Sequence, residues 1–199
     1  MIIWPQLLAY KAWHLGGIWY NNYMFSDPEN NIKQFALSPG MFVADFGSGS
    51  GFYALAAARA VAPAGKVFAV DIQKDLLERL KNGARQNHLN NVDIIWGDLE
   101  HLGGTKLRDG SIDAVTICNL FFQIDNKDAL CLETKRVLKP NGRVLVVDWA
   151  SSFGGVGPLE KNIISKMEMA GIFQDHGFIL DREISAGAEH YGLIFRKKV

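Results

Sequence analysis

The sequence predicts an α/β fold, a doubly wound sheet of mainly parallel strands, on three observations. Five short apolar runs of strand type alternate with helical patterns between Met41 and Trp149. A glycine-rich turn follows the first run, and an acid follows each of the next two. Two further strand-type runs close the chain with only a short glycine-containing loop between them. Strict alternation implies a parallel sheet buried on both faces. The closing pair implies an antiparallel strand added near one edge. Ligands of such sheets bind at the carboxyl ends of the strands, so the polar residues just after each strand carry the functional reading.

Residues 1 to 37 are expected to form an aromatic, helical cap on a single domain spanning 1 to 199. The first 25 include Trp4, Tyr10, Trp13, Trp19, Tyr20, Tyr23 and Phe25. They lack the basic start and small-residue cleavage site of a signal peptide. Pro5, Lys11, His14 and Gly16-Gly17 interrupt them too often for a membrane span. Asp27-Pro28-Glu29 is an N-cap, a first-turn proline and a first-turn acid, which starts a helix running to about Leu37 and stopping at Ser38-Pro39-Gly40.

Met41 to Phe46 is the first strand. Phe52 to Ala62 is an alanine-rich helix whose small side chains suit close approach to a sheet, and Pro63-Ala-Gly65 stops it. Lys66 to Asp71 is the second strand. Lys74 to Asn87 is a charged helix with Leu76, Leu80 and Ala84 on one face. Val92 to Trp96 and Ile112 to Cys118 are the third and fourth strands. Asp125 is placed to cap a helix that turns Leu130, Thr134, Val137 and Leu138 inward. Lys139-Pro-Asn-Gly142 is a turn before the fifth strand, Arg143 to Trp149. Phe178 to Ser185 and Tyr191 to Arg196 are the closing pair.

Twenty-one basic residues balance 21 acidic ones, so charge gives no support for a nucleic-acid track and none is expected as a partner. The two cysteines, Cys118 and Cys131, form no metal-binding spacing, no metal is expected, and reduced thiols fit a cytoplasmic protein.

The chemistry gathers around Asp45-Phe-Gly47-Ser48-Gly49-Ser-Gly51. Alternate glycines let the backbone turn with positive φ and come close to a ligand. The spacing is GxGxG; a dinucleotide fingerprint would need glycine where Phe52 stands, and no Lys-Ser/Thr pair follows to make a phosphate loop. Asp71 ends the second strand, 20 residues beyond Gly51, where a carboxylate can accept both hydroxyls of a ribose. Asp98, in Trp96-Gly-Asp-Leu99, can accept from an adenine amine, with Leu99 offering its backbone N–H and Ile72 packing on the ring. A glycine loop with two following acids and no phosphate clamp specifies a nucleoside.

The order of these motifs resembles class I S-adenosylmethionine (SAM)-dependent methyltransferases from about Pro39 to Lys197. The segments that carry the resemblance are VADFGSGSG, VFAVDI, WGDL, DGSIDAVTICNLFF and RVLKPNGRVLVVDW. The last two, with EHYGLIFRKK, look like the ubiquinone/menaquinone-biosynthesis branch and its small-molecule relatives. The resemblance implies a Rossmann-like, seven-stranded sheet in the order 3-2-1-4-5-7-6 with strand 7 antiparallel, and SAM as cofactor. It implies methionine-end contacts from Asp45, Gly47 and Asn119, the last through its side chain or its carbonyl alone, with Ser48, Gly49 and Gly51 in the same loop. Ribose and adenine contacts fall to Asp71 and Asp98. Where the quinone branch often carries a histidine pair, this chain has Phe122 and Gln123, which departs from a quinone enzyme.

The expected reaction is methyl transfer to a small apolar or aromatic acceptor, without an assignable general base. Trp19, Tyr20, Tyr23, Phe122 and Trp149 are the candidate acceptor-facing residues. His88, His101, His176 and His190 are expected at the surface or in packing. RNA or protein methylation and a non-catalytic SAM-binding module are the alternatives. The fourth strand is followed by Asn119-Leu-Phe-Phe122 rather than the Asn-Pro-Pro-Tyr of enzymes that methylate the amino groups of bases.

Overall fold

The computed structural model describes residues 26–152 and 156–198. Helix α1 (Pro28–Phe35) begins as expected: Asp27 caps it by accepting the amide of Asn30, and Pro28 occupies the first turn. It ends two residues before Leu37, because Ala36 turns left-handed and its N–H closes on the carbonyls of Ile32 and Lys33. Strand β1 (Phe42–Phe46), helix α2 (Phe52–Val61), β2 (Lys66–Asp71), helix α3 (Lys74–Gln86), β3 (Val92–Trp96) and β4 (Ile112–Cys118) follow. Helix α4 (Lys127–Val137), β5 (Leu138–Trp149), helix α5 (Lys166–Asp175), β6 (Phe178–Ser185) and β7 (His190–Lys197) complete the described chain.

The seven strands form one sheet in the order β3-β2-β1-β4-β5-β7-β6. β1, β2, β3, β4 and β5 pair in parallel, and β7 lies antiparallel between β5 and β6. The order implied by the resemblance is the order observed.

The two faces are filled differently. On one, the alanine stripe of α2 (Ala54, Ala56, Ala57, Ala58) packs with Ile32 and Phe35 of α1 and Leu80 of α3. The methyl side chains let the helix lie close over β1 and β2. On the other, Leu130 and Val137 of α4 meet Met169 and Phe173 of α5. Phe173 is a hub, with Phe195 stacked at 4.5 Å and Phe121 and Phe178 at 5.6 and 5.3 Å. Burying one such ring stabilises the fold by roughly 1.5–3 kcal/mol.

Four local expectations are corrected. The inward residue on the first turns of α3 is Leu77, not Leu76: Leu77, Leu80 and Ala84 share the buried stripe at i, i+3 and i+7. Asn126, not Asp125, caps α4 by accepting the amide of Ala129. The Lys139–Gly142 turn is an excursion inside β5 rather than its boundary, since Leu138 already pairs with Ile112 and Arg143 resumes opposite Ala114. Helix α5 lies in a stretch to which no helix was assigned; its cap is Ser165, which accepts the amide of Glu168. Among the described residues, no helix is long and apolar enough to cross a membrane.

Candidate functional site

The carboxyl ends of β1, β2, β4 and β5 share one edge of the sheet, and the glycine loop turns there. Gly47, Gly49 and Gly51 all have positive φ, at 70°, 52° and 94°. Two of them also have no room for a side chain. A Cβ on Gly47 would come within 2.7 Å of Leu120, and one on Gly51 within 2.4 Å of Leu80. The loop is pinned from below, where the amides of Gly47 and Ser48 donate to the carbonyl of Val70 at 2.9 and 3.1 Å. Gly51 opens α2 without a side-chain cap, so the first amides of α2 face this edge.

Asp71 holds the loop directly. One carboxylate oxygen accepts the amide of Gly49 at 2.8 Å and the other that of Gln73 at 2.8 Å. The group is 6% exposed, and each oxygen retains a lone pair for a further donor.

Asp45 lies beneath the loop, 2% exposed. Oδ1 accepts the hydroxyl of Thr116 at 2.6 Å, whereas Oδ2 is enclosed with no partner among the described residues. Burial pushes its carboxyl up to about 7; the Thr116 hydroxyl pulls it back, and the nearby Asp71 charge raises it further. Ser48 Oγ and Asn119 Oδ1 are likewise enclosed and unpartnered among the described residues. Asn119 adopts a left-handed φ of 54°, and its carbonyl accepts Gln123 Nε2 at 2.9 Å on one of its two lone pairs. Its carbonyl and its side chain both remain open to a further partner.

Asp98 follows β3, but its carboxylate is engaged within its own turn. It accepts the amide of Glu100 at 2.9 Å and meets His101 Nδ1 at 2.9 Å. Leu99 is buried beside it, whereas Ile72 is 56% exposed at the end of β2. The Asp98 turn is braced by Glu133 of α4, which accepts the amides of Gly103 and Thr105 and pairs with Arg136 at 2.7 Å.

Phe122 is half-buried in the single turn after β4, Phe121–Gln123. Trp149 ends β5, 6% exposed, with its ring stacked on His190 at 4.3 Å. Trp19, Tyr20 and Tyr23 lie outside the described residues. Among the described residues, no group of three or more His, Cys, Asp or Glu stands where it could hold a metal ion.

Three residues of this edge escaped the sequence reading: Thr116, Tyr53 and Asp148. Thr116 and Asp148 interrupt the apolar stretches Ala114–Cys118 and Val144–Trp149, close to the carboxyl ends of their strands, and that interruption was the available signal. Asp148 accepts the amides of Phe121 and Trp149, tying the β4 loop to β5, and burial pushes its carboxyl up to about 6. Tyr53 meets Ser26 Oγ at 2.5 Å and accepts from Asn31 Nδ2 at 2.8 Å. Nothing local in the sequence announces that long-range cluster.

Comparison with known proteins agrees with this geometry. The family model described as "Methyltransferase domain" matches residues 37–187. The arsenite methyltransferase of Halobacterium salinarum is 34% identical over 119 residues, 59% of this chain and 30% of that protein. A ubiquinone/menaquinone biosynthesis C-methyltransferase of Cupriavidus pinatubonensis is 31% identical over 138 residues, 69% of this chain and 52% of that protein. The chain thus spans about a third to a half of the length of these curated relatives. The crystal structure of a SAM dependent methyltransferase from Aquifex aeolicus superposes with a TM-score of 0.80 at 26% identity, covering 98% of this chain and 99% of that one. With the seven-stranded order and the glycine loop in place, the chain belongs to the methyltransferase-domain family, in the class whose cofactor is SAM.

Proposed function

We propose that this chain transfers the methyl group of SAM to a small apolar or aromatic acceptor at the carboxyl edge of its sheet. One observation carries the proposal: Asp45 Oδ2, Ser48 Oγ and Asn119 Oδ1 are three enclosed polar atoms without a partner among the described residues, all on or beside the glycine loop. Leaving such a group unpaired costs about 1–3 kcal/mol, so the set is built for a polar ligand. A carboxylate and an amide oxygen accept from an ammonium, and a hydroxyl donates to a carboxylate, which suits the amino-acid end of SAM.

When bound, SAM supplies a methyl carbon already activated by a sulfonium, so alignment and exclusion of water are the protein's main tasks. Asp45 and Asn119 would hold the ammonium, and Gly47, Gly49 and Gly51 give the backbone its close approach. Asp71 would accept the ribose hydroxyls on the lone pairs its loop contacts leave free. Asp98, Leu99 and Ile72 would line the adenine end. Asp98 in that role must add a bond to those it already makes with Glu100 and His101.

Phe122 and Trp149 would face the acceptor. Trp19, Tyr20 and Tyr23 would cover it from the N-terminal side. The contact of Ser26 with Tyr53 supports this, since it sets the start of the described chain beside the first turn of α2. An arsenite acceptor is not favoured: the chain's two cysteines pack on opposite sheet faces, Cys118 with the α2 side and Cys131 with the α4 side, so they cannot join in one thiol set. Both are free thiols, and the proposal locates the reaction in the cytoplasm.

The test is a transfer assay with methyl-labelled SAM against phenols, quinols, amines, arsenite and RNA, reading S-adenosylhomocysteine formation. Turnover with an aromatic acceptor is expected. Turnover with arsenite or nucleic acid alone would replace this reading.

A further inference from the structure

We propose that His190 is a specificity-determining residue that hydrogen-bonds a protic group, O–H or N–H, on a flat acceptor lying against Trp149. The inference rests on the acceptor-site reading above and deepens it.

The topology puts His190 at the ligand edge. β7 runs antiparallel to β5, so its first residue, not its last, stands beside the carboxyl end of β5. His190 pairs with Trp149 there. Side chains alternate along a strand, so Trp149 shares a face with Leu145 and Val147, and His190 with Ile194. That face is the one covered by α1 and α2, and it also holds Tyr53 beside the first turn of α2.

The chemistry of the pair is unusual for packing alone. His190 is 7% exposed, yet neither Nδ1 nor Nε2 has a hydrogen-bond partner among the described residues. A histidine chosen only to fill space would be cheaper as Phe or Leu, which bury no polar atoms. The ring stacks on the indole of Trp149 at 4.3 Å, tilted by 39°. Gly157 closes on the same indole, so that a Cβ there would sit 3.0 Å from the ring. Burial pulls the imidazole down to about 4, so it is neutral at physiological pH, with one N–H to donate and one nitrogen to accept. Such a group can both donate to and accept from a hydroxyl, whereas an ether can only accept its N–H, so the accepting nitrogen is what reads the protic hydrogen. It orients the acceptor; as a weak base, it is not asked to take the proton.

The test uses the full chain saturated with S-adenosylhomocysteine and titrated with 1-naphthol or 1-methoxynaphthalene. The two probes share the ring and the oxygen, and the ether carries a methyl group in place of the protic hydrogen. We expect 1-naphthol to bind at least tenfold more tightly, and His190→Phe to erase the difference while leaving S-adenosylhomocysteine affinity within twofold. Equal binding of the two probes by the wild type, or a preference that survives in His190→Phe, would overturn the inference alone. Failure of the wild type to bind S-adenosylhomocysteine would overturn the cofactor reading and this inference with it. Should His190→Phe not fold, nitrogen-15 spectra of histidine-labelled wild type decide the matter: the ring that stays neutral down to pH 5 must shift with 1-naphthol and not with the ether. Ring nitrogens unmoved by 1-naphthol would overturn the assignment.

Discussion

The carboxylate of Asp71 accepts the amide of Gly49 across 2.8 Å, joining the end of β2 to the middle of the glycine loop. One side chain thus shapes the loop and, in the proposed site, binds the ribose. Asp71→Ala removes both contributions and should weaken S-adenosylhomocysteine binding at least a hundredfold by calorimetry. Asp71→Asn keeps an oxygen for Gly49 and should fall between the two. Affinity within a few-fold of wild type in Asp71→Ala would remove Asp71 from the site.

Asp45 should make cofactor binding depend on pH. Its carboxyl titrates near 7 in the folded chain, and a bound ammonium favours the ionised form. Binding should therefore expel a proton, and affinity for S-adenosylhomocysteine should rise from pH 5.5 to 7.5. Calorimetry in two buffers of different ionisation enthalpy reads the proton directly. Asp45→Asn should flatten the profile, and an unchanged slope in that variant would assign the titration elsewhere.

Stability should follow the opposite sign for the raised acids and for Glu133. Asp45 and Asp148 carry folded values of about 7 and 6, above the ordinary 3.8, so their contribution is full below pH 4 and fades as pH rises through 6 and 7. Glu133 is held down at about 2 by Arg136, Thr105 and two amides, despite burial. Its contribution is full above pH 4.5 and is lost as pH falls toward 2. Glu133→Ala leaves Arg136 and the Gly103–Thr105 amides unmatched and should cost about 3 kcal/mol at pH 7, read from denaturant midpoints. A cost below about 1 kcal/mol would show that the network is not a brace.

Gly51→Ala tests the close approach of the loop to α3. The new Cβ would lie 2.4 Å from Leu80 Cγ, at a φ of 94°. Left-handed backbone costs about 1–2 kcal/mol for a non-glycine residue, and overpacking a further 1–3 kcal/mol. Leu80→Ala relieves the clash but leaves a core cavity of its own, so the comparison is with that variant: in the Leu80→Ala background, Gly51→Ala should cost only the backbone part. No cost in that background would mean that φ carries none of it.

Deleting residues 1 to 25 tests the proposed cover. The shortened chain should lose methyl transfer and bind S-adenosylhomocysteine at least tenfold more weakly. Unchanged affinity and turnover would return those aromatics to packing.

The strands themselves were readable because a buried parallel strand writes itself as an apolar run, with Asp71 ending the second and Asp98 just past the third; their order came only from the family resemblance. Helix α5 was not readable, because its polar and apolar residues scatter around the cylinder and Met167 on it is exposed. Within the site, the glycine loop and its acids were legible as a local motif. Thr116 under Asp45, Tyr53 against Asn31, and His190 against Trp149 were not: each joins residues far apart in sequence, the first and last brought together by the sheet order and the second by the packing of α1 on α2. His190, expected at the surface or in packing, is buried against Trp149 at the carboxyl end of β5.

The most direct test of the account is calorimetry on the full chain with SAM, S-adenosylhomocysteine and NAD in parallel. The account predicts saturable binding of the first two at one site and none of NAD. Binding of NAD without SAM would contradict it.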